Sequence, residues 1–261
     1  MNKGQAYFNW VFIIIIGAVF LAFFTGFAFK YKDMQEKKTE IIILNNLDTA
    51  LTNLQGSSFT TSTSIELPLD INVNCDDNGF DIFINEKNDI NHILASRSKL
   101  KNRMHIWYQP YEIPFKVTNF YYLTDDSKIR INSDFYDEIV REAPESFRNK
   151  IVYDANGINI EGNINEGSIN GVKYLGKEML FAGIFSDNYQ CFYNNFKKKL
   201  DETILIYQSK ASVLSRSGCS YNLILSKLNM LKNFDDVNYN IADDIERLNK
   251  DLVSSNCPSL F

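Results

Sequence analysis

Between positions 10 and 29 the chain reads WVFIIIIGAVFLAFFTGFAF, with no charged residue and no proline. A helix needs about 20 apolar residues to cross roughly 30 Å of hydrocarbon, so the run predicts a transmembrane helix. A secretory signal peptide has a shorter apolar core, about 7–15 residues, with a small-residue cleavage site beyond it. This run ends on Phe29-Lys30-Tyr31-Lys32, which offers no such site, so the helix is expected to be retained. Ala18, Ala22 and Gly26 recur every fourth residue and form a stripe on which another membrane helix can approach closely.

The flanks of the helix give conflicting signals about topology. Lys3 precedes the helix, while Lys30, Lys32, Lys37 and Lys38 follow it, and that count puts the C-terminal part in the cytoplasm. Four cysteines without C-x-x-C spacing read instead as an even set suited to disulfides, hence to an extracytoplasmic head. A composition 45% hydrophobic and 23% charged belongs to a folded chain. A net charge of -5 excludes broad nucleic-acid binding, which requires a basic face.

Beyond the membrane segment the helical period continues. Ile41, Leu44, Leu47, Leu51 and Leu54 fall at three- and four-residue steps, with Gly56 at the expected C-cap. One helix is therefore expected from near Gln5 to Gln55, about 75 Å long at 1.5 Å per residue. The period then switches to two. Ile71, Val73 and Cys75 alternate with polar residues, Asp76-Asp77-Asn78-Gly79 supplies a turn, and Phe80, Ile82 and Ile84 alternate again, which predicts a hairpin. Residues 104–108 and 115–123 are aromatic and β-branched, punctuated by Pro110 and Pro114. Ser133 is placed to cap a short helix over residues 134–141 that Pro144 ends. Short strands are expected at Ile151–Tyr153, 158–160 and Val172–Leu175. A long amphipathic helix follows at Tyr189–Leu214, with shorter ones at 223–231 and 241–252.

The expectation is an α+β protein. It comprises an N-terminal flank at 1–9, the membrane helix at 10–29, a helical extension at 30–56, a β-rich domain at 57–178 and a helical region at 179–261. A helix over Tyr189–Leu214 separates Cys191 and Cys219 by roughly 40 Å, whereas a disulfide needs Cα atoms within about 7 Å. With the two short helices returning toward the start of the long one, Cys191–Cys257 is the first pairing and Cys75–Cys219 is left over. Four unpaired thiols are the alternative.

The search for chemistry finds no assembled site. Gly171 to Glu178 approaches a phosphate-binding loop, but Glu178 stands where a hydroxyl is needed and the intervening residues read as a strand. His92 and His105 lack partners at metal-ligand spacing and no nucleophile-elbow motif accompanies them, so neither a metal nor a catalytic site is expected. The paired acids Asp76-Asp77, Asp125-Asp126, Asp235-Asp236 and Asp243-Asp244 lack the pattern of a calcium loop and suit turns and helix starts. Trp107, Tyr108, Tyr111, Phe115 and Tyr121 belong to a dense aromatic stretch, which fits core packing or, alternatively, a partner face. No cofactor is implied, and an enzyme is not expected.

Lys3-Gly4-Gln5 ahead of the apolar helix resembles the class III signal of archaeal type IV pilin-like proteins. The resemblance implies a cut between Gly4 and Gln5 by a prepilin-type peptidase, a retained helix in membrane lipid and a C-terminal part facing outside. It also implies association with pilin-like or secretion-machine subunits, including copies of the chain itself. The family often carries glutamate at the fifth residue after the cut, where this chain has Asn9. That departure, with the long head, points to a minor pilin, a pseudopilin or a TadE-like accessory rather than a major subunit.

Overall fold

The computed structural model describes residues 3–55, 61–76, 78–84, 87–90 and 92–261. Gly56, the expected helix cap, and Asp77, in the expected hairpin turn, lie outside the described residues, as do the side chains of Lys3, Gly4, Gln5 and Asn9. The fold is α+β: a long N-terminal helix, a β-rich middle of three sheets and a helical C-terminal part. Contacts divide the chain into two units, Met1–Asn46 and Leu47–Phe261.

Helix α1 spans Lys3–Gln55 without a break, as the uninterrupted helical period requires. Over residues 10–29 its apolar side chains face outward on every side, with Trp10 68% and Leu21 72% exposed. Residues apolar all round and without protein neighbours satisfy the length and composition of a membrane-crossing helix. Ile41, expected on the packing stripe, is instead exposed. The stripe holds at Leu47, Leu51 and Leu54, all buried in the second unit.

The strands are β1 (Thr61–Glu66), β2 (Ile71–Asp76), β3 (Gly79–Phe83), β4 (Lys87–Ile90), β5 (Ile93–Ser96), β6 (Lys99–Leu100), β7 (Arg103–Glu112), β8 (Lys116–Thr124), β9 (Ile129–Asn132), β10 (Ile151–Tyr153), β11 (Ile158–Gly162), β12 (Glu166–Ile169) and β13 (Val172–Leu175). The first sheet runs β1-β7-β8-β5, the second β10-β9-β11-β12-β13 and the third β4-β3-β2-β6. Strands β2 and β3 form the expected hairpin, with Asp76 opposite Gly79. Gly79 takes a positive φ, and the backbone N–H of Asn78 bonds the Asp76 carboxylate at 2.7 Å. Pro110 sits inside β7, two residues beyond Tyr108, the last residue of β7 paired with the described residues of β1.

Among the described residues the second unit also holds six α-helices: α2 (Tyr136–Glu142), α3 (Glu145–Arg148), α4 (Lys177–Phe185), α5 (Tyr189–Leu214), α6 (Asn222–Lys232) and α7 (Tyr239–Ser254). Ser133 does not cap α2. Its Oγ accepts the Phe135 N–H, Phe135 takes the cap position, and the helix starts two residues later than expected. Every residue of α4 from Met179 to Phe185 is buried, because the helix lies between β8 and β5 of the first sheet and β12 and β13 of the second. A helix apolar all round gives no amphipathic period, which is why the sequence does not single it out.

Register pairs Trp107 with Tyr122 and Gln109 with Phe120 on one face of the first sheet. That face packs on Phe181 of α4 and on Phe192 and Phe196 of α5. The opposite face carries the Tyr108–Tyr121 pair, and the Tyr121 hydroxyl makes a long 3.5 Å bond to the Leu51 carbonyl of α1.

Candidate functional site

The four cysteines are oxidised, but not in the expected pairs. Cys75 of β2 joins Cys191 in the first turn of α5, and Cys219 joins Cys257. The expected Cys191–Cys257 and Cys75–Cys219 pairings are therefore corrected. Helices α6 and α7 lie side by side, tied by Lys227 to Asp244 at 2.7 Å, so their displacements cancel instead of adding. Cys257 consequently returns beside Cys219, where α6 began, and not to the start of α5. The exclusion of Cys191–Cys219 stands. Around Cys191, the N-cap Asn188 accepts its N–H at 3.1 Å, and Asn195 donates to the Asp76 carbonyl at 2.9 Å.

The aromatic stretch is core and not a partner face: Trp107, Tyr108, Tyr111, Phe115 and Tyr121 are all buried. Burial pushes the Tyr111 hydroxyl well above its ordinary pKa, and it donates to the Leu175 carbonyl at 2.8 Å. Trp107 lies among Tyr122, Phe147 and Phe181, and its indole N–H meets no acceptor among the described residues.

His105 and Asp126 do come together. His105 Nε2 lies 2.8 Å from Asp126 Oδ1, which also accepts from Lys150 Nζ at 2.8 Å. These bonds, from Lys150 first and then His105, hold the Asp126 carboxyl down to about 2. His92 packs its ring on Tyr121 with centroids 4.9 Å apart, and burial lowers its pKa against the pull of Asp48. Among the described residues no hydroxyl or thiol hydrogen-bonds either histidine, and no group of three His, Cys, Asp or Glu could hold a metal. Residues 171–178 form the turn, strand β13 and the start of α4, not an amide-lined cradle. Lys3, Gly4, Gln5 and Asn9 fall in the first turns of α1. Ala18, Ala22 and Gly26 lie exposed along the helix.

One concavity was not legible in the sequence. A cleft of about 730 Å³ opens among the β2–β3 turn, the start of β8, the approach to β5 and one side of α5. Its lining comes from five separated segments, each polar residue of which reads alone as an ordinary surface residue.

Comparison with protein-family models, with curated proteins and with solved structures gives no match for this chain.

Proposed function

We propose that the chain is a single-pass, membrane-anchored, pilin-like protein that serves the assembly of a surface or secretion structure and does no catalysis. Its disulfide-bonded head faces outside the membrane. The observation that carries this reading is Lys3-Gly4-Gln5 at the start of a helix whose residues 10–29 are apolar on every side. Two disulfides support the outward head, since such bonds persist in oxidising compartments. They outweigh the lysine count after the helix. Asn9 lacks the charge to pair with a neighbour's amino terminus, so the reading is an accessory or minor subunit and not the bulk subunit of a filament.

N-terminal sequencing of the protein from membranes of its native host tests the reading. The expected first residue is Gln5, and a mature chain that retains Lys3-Gly4 overturns the processing step. The second reading is a membrane-anchored binding module of a surface complex. It loses the aromatic stretch, which is buried, but gains the polar cleft beside α5.

A further inference from the structure

The cleft has the size of an ordinary small-molecule site, a range of about 300–1,000 Å³, but its lining is unlike an apolar pocket. Gln55, Asn78, Thr118 and Lys116 line it, and their side chains make no hydrogen bond to any described residue. Asn119 accepts from the Tyr108 hydroxyl at 3.1 Å and keeps its amide N–H groups for the cleft. An apolar ligand would strip water from these groups and return nothing for it.

The charges narrow the ligand further. Lys116, Lys198, Lys199 and Glu202 face the space, and Lys199 is paired with Glu202 at 3.0 Å. Lys198 has an interaction of its own, and Asp48 acts on the neighbouring His92. Lys116 is left as the cation without a partner among the described residues. One uncommitted ammonium suits a single carboxylate and falls short of a dianionic phosphate or a densely charged polymer. Three amides and a hydroxyl each offer donors beside acceptors, the arrangement that vicinal hydroxyl groups match, since every hydroxyl both donates and accepts.

We infer that this cleft binds an acidic saccharide, with hydroxyls held by Gln55, Asn78, Thr118 and Asn119 and the carboxylate held by Lys116. The inference rests on the cleft alone and is independent of pilin-like processing. The test is calorimetric titration of the full chain in detergent with a trisaccharide carrying one uronic acid residue, its carboxyl-reduced neutral counterpart and sodium phosphate. The uronic trisaccharide is expected to bind one-to-one and the other two at least about tenfold more weakly. Lys116→Glu and Gln55→Ala change exposed side chains, so both variants keep the wild-type melting transition while each weakens the uronic ligand, Lys116→Glu by about tenfold or more. Absence of saturable binding of the trisaccharide at about 10 mM overturns the assignment. So does phosphate binding as tightly as the trisaccharide, or unchanged affinity in both variants.

Discussion

Asp126 is hydrogen-bonded to Lys150 and His105 and is far more open to water than either. Its own side chain is 61% exposed, while that of Lys150 is only 8% exposed. The carboxyl, ordinarily near 3.8, is held down to about 2 by hydrogen bonds from Lys150 and His105. A depressed acid stabilises the fold above its unfolded pKa, and that contribution disappears as pH falls through the folded value. The stabilisation is therefore complete above about pH 4 and lost on approach to pH 2. Solvent screening at so exposed a carboxylate keeps the pair itself below about 1 kcal/mol. Removing the charge also leaves the largely buried Lys150 ammonium without its partner, which adds a desolvation cost of about 1–3 kcal/mol. Asp126→Asn should thus lower stability at neutral pH and flatten the stability profile between pH 4 and 2. Urea unfolding across that pH range measures both effects, and an unaltered slope would remove Asp126 as its source.

At the scale of elements, legibility follows the source of each element's stability. Helix α5 matches its expected bounds of Tyr189–Leu214 because an amphipathic face announces itself every three to four residues. The β2–β3 hairpin is legible for the same kind of reason, a two-residue alternation with turn residues between. Helix α4 is not, because it is enclosed on all sides and its neighbours come from β5, β8, β12 and β13, distant in sequence. The sequence does not single out strand β12, although the Asn170-Gly171 turn after it, with both φ values positive, is a strong hairpin signal. Its residues Glu166, Gly167 and Ser168 carry no β-propensity, and the ladder holds them instead. The cleft was illegible for a further reason: it is assembled wholly by tertiary contacts. Gly183 shows how tightly α4 is enclosed. A methyl group built there would lie 2.0 Å from Ile169 Cδ1 on β12. Alanine gains up to about 1 kcal/mol of helix propensity, against an overpacking cost of about 1–3 kcal/mol where Ile169 is itself buried. Gly183→Ala is expected to destabilise, and Ile169→Val in the same chain should recover part of the loss. A thermal double-mutant cycle measures the coupling, and simple additivity would deny the contact.

Across the whole molecule, the two disulfides divide their work by span. Cys75–Cys191 closes 116 residues and ties the third sheet to the long helix α5, whereas Cys219–Cys257 closes 38 within the helical C-terminal part. Chain-entropy reasoning gives about 5 and about 4 kcal/mol for loops of these lengths. The difference is small beside the usual scatter, so placement and not magnitude distinguishes the bonds. Loss of Cys219–Cys257 should loosen a segment held by several other contacts. Tyr221 donates to the Pro258 carbonyl at 2.7 Å, Asn249 donates to the Phe261 carbonyl at 2.9 Å, and the Phe261 ring packs on Phe115 and Tyr207. Loss of Cys75–Cys191 frees an edge-rich sheet whose β6 is only two residues long. Replacing each pair by alanine should therefore give two different patterns in hydrogen exchange. Without Cys75–Cys191, protection falls across β2, β3 and the first turns of α5. Without Cys219–Cys257, it falls mainly in α7 and the residues after it. The same bonds report sidedness in the native host. Thiol labelling of intact cells should be negligible before reduction and should appear at all four cysteines after it with a membrane-impermeant reagent. Labelling without reductant, or only after the membrane is broken, would place the head in a reducing compartment and end the outward-facing reading.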